Sequence, residues 1–280
     1  MKKNLFVSFS ILTALFLCTT IYAQDAYNLQ YKFTKGKTYT YKDLGSTRIT
    51  QTMMGREMKV NTSTKGQVSL KVEDVKSSGD ATLIYSVDSI QVKTSGMGQE
   101  SSPDLGFLIG KRIEMNFSKL GKLINLTELD TVENNNRYIS IEQEAKHFFA
   151  TLPDKGVKMG DKWNSSQVDT MGTMGGNIIS DVDFVYTLAG KENKLGHDCF
   201  KINFTANLKI QGHGNMRGTD ITMDGTGTSN GEIFLDTSTG MLVYNKSNVD
   251  TKMNMVTGGA QAMTIPMTQS TISERSLVGD

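Results

Sequence analysis

The stretch Phe200-Lys201-Ile202-Asn203-Phe204-Thr205-Ala206-Asn207-Leu208-Lys209-Ile210 alternates apolar and polar side chains without a break. Successive side chains of a strand point to opposite faces, so this stretch reads as a strand with one dry and one wet side. Shorter runs repeat the pattern at Leu29/Tyr31/Phe33, Val68/Leu70/Val72, Leu83/Tyr85/Val87, Ile113/Met115/Phe117 and Val182/Phe184/Tyr186/Leu188. Turn signals separate them: Ser78-Gly79-Asp80, Leu120-Gly121-Lys122, Asn230-Gly231 and Thr239-Gly240. The pattern predicts a mainly β protein, an antiparallel curved sheet or half-barrel with one wet face.

One segment breaks the alternation. Between Asn134 and Leu152, apolar residues fall at Tyr138, Ile141, Ala145, Phe148, Phe149 and Leu152, which is helical spacing. Asn134 or Asn135 can cap the start, and Pro153 lies just past the end. A single amphipathic helix among strands is expected to pack against an open sheet face.

The flanks of this helix look alike. Gly36 is followed three residues on by Tyr39, and Gly160 by Trp163. A Met-Gly hairpin follows in each half, at Met53-Met54-Gly55 and Met174-Gly175-Gly176. Each half then carries a strand, a Gly turn and a strand, around Gly121 and around Gly240. The nearly constant offset predicts two similar β units, 24–133 and 153–280, joined by the helix at 134–152.

Lys2 and Lys3 precede an apolar run from Leu5 to Leu17, the length of a secretory h-region and short for a bilayer span. Ala23 offers a cleavage site, so residues 1–23 read as a signal peptide, with no transmembrane segment expected after its removal. Cys18 follows bulky Leu17, where lipidation wants a small residue. Of the chain's two cysteines this leaves Cys199, whose neighbours Asp198 and Phe200 supply no cation to stabilise a thiolate. A buried, inert thiol is expected. The 280 residues carry 30 Lys+Arg against 29 Asp+Glu, too balanced for the field a general nucleic-acid binder needs. With 38% hydrophobic and 21% charged residues, the chain is neither disordered nor a polytopic membrane protein.

Motifs for chemistry are sparse. Ser229 sits in Gly227-Thr-Ser-Asn-Gly231, a literal nucleophile-elbow match, but no strand-turn-helix context surrounds it and a Gly/Thr-rich hairpin turn is the better reading. His147, His197 and His213 have no metal-ligand spacing, and the methionines lack the dense repeat of a copper tract, so no metal or cofactor is expected. Met53, Met54, Met58, Met171 and Met174 fall near expected hairpin tips, where adaptable side chains could line the mouth of an apolar cavity. The plainer alternative makes methionines such as Met253, Met255, Met263 and Met267 core fillers.

The segment Leu152-Pro-Asp-Lys-Gly-Val-Lys-Met-Gly-Asp-Lys-Trp163, together with the Gly36 and Gly160 approaches and the Gly240 hairpin, resembles a family of exported proteins of unknown function from Gram-negative bacteria. A Val-x-x-Gly-Asp-x-Trp stretch, here Val157 to Trp163, is among that family's hallmarks. The resemblance covers nearly all of the chain after the signal peptide. It implies a periplasmic, cell-envelope or secreted location and assigns no activity. A curved sheet crossed by a helix is also similar to the half-barrels that carry lipoproteins and lipids across the periplasm, a likeness of fold alone. Three readings follow, in this order. The first is a non-enzymatic carrier of an apolar ligand such as a lipid or lipoprotein acyl chain, the second a structural module that binds another envelope protein, and the third a hydrolase.

Overall fold

The computed structural model describes residues 26–53, 55–96, 98–131, 140–173, 176–216, 218–259 and 262–279. The signal-peptide reading, Met54 and Met174 lie outside them. The strands are β1 (Thr38–Met53), β2 (Arg56–Val75), β3 (Ala81–Gly96), β4 (Gln99–Ser101), β5 (Arg112–Phe117) and β6 (Leu123–Glu128) in the first half. After helix α1 (Ile141–Lys146) come β7 (Lys162–Thr173), β8 (Gly176–Lys194), β9 (His197–Met216), β10 (Thr219–Asp236), β11 (Leu242–Thr257) and β12 (Thr264–Gly279). All twelve belong to one antiparallel sheet in the order β6-β5-β3-β2-β1-β12-β11-β10-β9-β8-β7, with β4 attached to β3.

The sheet is a meander whose two chain ends meet. β1 pairs with β12 from Thr40↔Gly279 to Gln51↔Met267, joining the halves into one curved surface. On the far side β6 and β7 are the two free edges among the described residues, and the sheet there is unclosed. The curved, mainly β architecture expected from the alternation is therefore present.

The main hydrophobic core lies toward one end of these strands, and Val92 of β3 forms a second, smaller cluster with Leu105 and Leu108. Tyr41, Leu70, Leu83, Tyr85, Ile113, Phe117, Leu188 and Ile202 are almost fully buried at the main core's end, while toward their opposite ends the strands are mostly half-buried or exposed, with Val92, Thr251, Met253 and Ile265 the buried exceptions. Into this end drops the connection between β6 and β7. Ser140 caps α1, its side chain accepting from Gln143 N–H. Ile141, Ala145, Phe148, Phe149 and Leu152 are all buried, as the apolar spacing requires. Phe148 packs edge-on to Tyr41 (5.0 Å), and Phe149 edge-on to Phe117 (5.0 Å).

The helix is shorter than the expected 134–152. Its start was placed among residues 132–139, which are not described, and it ends at Lys146. Beyond that point other groups take the backbone. The Tyr31 hydroxyl donates to Ala150 O, the Trp163 indole N–H to Thr151 O, and Leu152 N–H to Leu120 O. Those bonds hold the chain in a turn that buries two adjacent phenylalanines.

Two further expectations change. Leu29, Tyr31 and Phe33 alternate but form no strand. This segment crosses the closed end between the two glycine turns, Tyr31 N–H donating to Lys119 O and Lys32 N–H to Thr239 O. Gly121 and Gly240 have positive φ (77° and 69°), and a Cβ on either would strike backbone: Ala150 O and Gln30 O respectively. Asn230-Gly231 is not a turn but lies inside β10, where a Cβ at Gly231 would overlap Lys246 O and the Phe204 ring. Ser229 is accordingly a buried strand residue. Matching contacts recur in the two halves: Gly36 N–H donates to Val72 O and Gly160 N–H to Leu188 O, each tying an approach to the strand paired with the one that follows.

α1 is held from both walls of the curve. Arg275 on β12 makes a bidentate bond to Asp43 on β1 (2.7 and 2.8 Å), reaches Glu144 of α1 at 3.3 Å, and lies 4.4 Å from the Phe148 ring centre. On the other side His147 Nε2 is 3.1 Å from Asp169 Oδ2 of β7. Burial works against the Arg275 charge and is more than offset by Asp43 and Glu144, so its pKa is raised. The Arg275 side chain is only 12% exposed, whereas Glu144 is 55% exposed. Arg275→Met should therefore cost about 3 kcal/mol, because it strands a largely enclosed Asp43 carboxylate. Glu144→Gln should cost less than about 1 kcal/mol. Urea denaturation of the two variants checks the contrast.

Candidate functional site

Because ladder partners point to the same face, the pairings read out the inner surface row by row from the core outward. Beside the core, Gly66, Asp43, Arg275, Asn245, Ile233 and Ile202 form one row. The next holds Thr64, Gly45, Ser273, Ser247, Gly231 and Phe204, and the one after it Thr62, Thr47, Thr271, Val249, Ser229 and Ala206. On β1, β2, β11 and β12 these rows are mostly small or hydroxylic, whereas β7 and β8 contribute Trp163, Tyr186 and Phe184. Farther out the surface turns apolar. One row runs Met58, Gln51, Met267, Met253, Gly225 and Ile210, and the next runs Ile265, Met255, Met223, Gly212, Ile178 and Met171.

The inner rows nearest the core enclose a cavity of about 670 Å³ bounded by β1, β2, β3, β11, β12 and α1, with Met171 of β7 at its margin. A second hollow of about 640 Å³ lies between the free edges, from Gly121–Leu123 past His147 and Thr151 to residues 164–170 of β7. It opens the seam that β6 and β7 leave unpaired. The outer face is mostly polar, with Lys59, Asn61, Ser63 and Lys65 of β2 and Asn203, Thr205, Asn207 and Lys209 of β9 all exposed, although Leu44, Val168, Ile179, Val185 and Ile272 are also exposed on it. A lipid-facing barrel needs the reverse, an apolar band on the outside. No helix among the described residues is long and apolar enough to cross a membrane.

The proposed mouth is brought together only in part. Met53 and Met58 sit on adjacent strands on the inner face, Met58 opposite Gln51 and Met53 opposite Arg56. Met171 is 43% exposed on β7, at the cavity margin and across the sheet from that pair. Met54 and Met174 lie outside the described residues. Met223, Met253, Met255 and Met267 carry the inner apolar surface instead. Three of these are only half-buried, so they line a face rather than fill a sealed core.

The described titratable groups elsewhere do not assemble a nucleophilic site. His197 Nδ1 lies 3.2 Å from Asp236 Oδ2, and Cys199 is near, its Sγ donating to His197 O. Cys199 is fully buried, however, and burial pushes its thiol up to about 11, leaving negligible thiolate at neutral pH. His213 is exposed on the outer face of β9, and His147 is engaged with Asp169.

Residues 137–242, from before α1 to the start of β11, match a family described as "Family of unknown function (DUF6263)". No curated protein matches the chain. Among solved structures, OccK7 (OpdD) of Pseudomonas aeruginosa aligns with 8% identity over 87% of this chain and 100% of that one, at a TM-score of 0.21. The translocator domain of the autotransporter NalP from Neisseria meningitidis aligns with 10% identity over 87% and 89%, also at 0.21. Scores this low do not amount to a shared fold.

Asp236 gives a pH test of the β10–β11 turn. Burial raises its pKa, but the Ser238 hydroxyl, the Thr239 and Ser238 N–H groups and His197 outweigh that and hold it at about 2. A carboxylate depressed in the fold stabilises above its unfolded pKa, and that stability is lost as pH falls through the folded value. Wild type should therefore lose about 2 kcal/mol between roughly pH 4 and pH 2 through this group. Asp236→Asn should be less stable at neutral pH and show a shallower acid limb in stability measured against pH.

Proposed function

We propose that the protein is an exported, non-catalytic carrier or binder that holds an apolar chain along the inner face of its curved sheet. The observation that carries this reading is the inversion of the outer strand ends. There the largely polar outer face backs an inner face of Ile265, Met255, Met223, Ile178 and Met171, outside the main core cluster, where Ile265 is buried, Met171 exposed and the other three half-buried. Unbranched thioethers conform to a flexible chain without demanding one shape. Each methylene buried against them contributes about 0.8 kcal/mol. The unpaired β6–β7 seam supplies a lateral way in. Export rests on the Lys2-Lys3 and Leu5–Leu17 signal pattern.

A second reading, an envelope interaction module, draws on β7, whose twelve-residue edge has no partner strand on its seam side among the described residues. An added strand from another protein could pair there.

The readings separate in a titration with N-phenyl-1-naphthylamine, a neutral apolar fluorophore. Wild type should take it up with enhanced emission. The double variant Met223→Asp/Met255→Asp should bind it at least about tenfold more weakly, because the probe must then be buried against carboxylates. Uptake by neither protein, or equal uptake by both folded proteins, contradicts the inner-face site.

A further inference from the structure

We infer that the ligand is an amphiphile with an uncharged, hydroxyl-rich head, seated in the cavity beside α1 while its chain follows the methionine rows. This rests on the carrier reading and narrows it to a ligand class.

The rows between core and methionines pair hydroxyl with hydroxyl across the ladders. Thr47 Oγ1 is 3.1 Å from Thr271 Oγ1, and Ser247 Oγ is 2.7 Å from Ser273 Oγ. One bond between two hydroxyls uses one donor, so each pair keeps a second donor and spare lone pairs for a ligand. Such a surface matches a polyol, which also donates and accepts at every oxygen.

Asn245 makes the sharper demand. Its Oδ1 is buried at the cavity wall and accepts no hydrogen bond among the described residues. A buried acceptor left unmade is unfavourable, and a ligand hydroxyl donating there would remove the penalty.

Charge then selects against anions. The guanidinium of Arg275 is committed to Asp43 and Glu144, two carboxylates to one cation, and His147 is turned to Asp169. No uncommitted cation lines the cavity among the described residues, so a phosphate or carboxylate head would enter a surplus of negative charge. From Ser247 to Met255 along β11 is about 25 Å at the rise of a strand, room for a long single chain beyond the head.

The test uses mature protein and two probes of equal chain length below their micellar concentrations, dodecyl maltoside and dodecyl phosphate, by isothermal titration. The expected result is a maltoside preference of about tenfold or more, the worth of one buried hydrogen bond made rather than missing. Asn245→Leu should abolish most of that preference. Should Asn245→Leu fail to fold, Ser247→Ala provides a milder deletion at the same wall, expected to reduce the preference in part. Phosphate binding as tightly as maltoside, or a preference unchanged in the folded variants, overturns the head assignment and leaves the carrier reading intact. Binding of neither probe, together with failure to take up the neutral fluorophore, overturns both.

Discussion

The pairing of β1 with β12 is the constraint on which the rest depends. It joins residues near the two ends of the chain into one ladder and turns a meander into a curved wall. It also sets Asp43 opposite Arg275, so the charge pair that reaches α1 exists only when this ladder is in register. A slip of one residue would turn Arg275 to the outer face and leave Glu144 and the Phe148 ring without it. Forming the ladder requires closing a loop of nearly the whole chain, which places it among the slow, non-local steps of folding.

The second half of the sheet continues through β11 to β12, which closes on β1. In the first half β6 is followed instead by the connection that carries α1, and β7, paired to β8 on one side, has no strand on the other among the described residues. The same connection fills the closed end with Phe148 and Phe149 and keeps the seam open. Strands of up to 20 residues then outrun their core, and their inner surface grades from aromatic to hydroxylic to methionine-rich.

Much of this was legible in the sequence because burial imposes period two. Phe200 to Ile210 falls within β9, and the apolar residues between Ile141 and Leu152 are all buried. The signal fails where both faces are polar. In β12 the inner residues Gln269, Thr271, Ser273 and Arg275 alternate with outer Ser270, Ile272 and Glu274, so no apolar rhythm marks the strand that closes the wall. Asn230-Gly231 read as a turn because glycine serves both turns and close strand packing, and only the Phe204 ring and Lys246 carbonyl distinguish them. Met53, Met58 and Met171, expected near hairpin tips, occupy inner-face positions of their ladders. Met223 carried no such signal, and Met255 and Met267, whose plainer reading was core filling, lie half-buried on the same inner surface. Asn245 and Arg275 carried no local motif, since their roles arise from cross-strand neighbours alone.

Native mass spectrometry of the mature protein, taken from its own cell envelope without detergent, tests the central claim most directly. The account predicts a reproducible added mass that extracts into organic solvent and reports a single-chain amphiphile. A bare polypeptide mass that stays bare after incubation with such amphiphiles would contradict it.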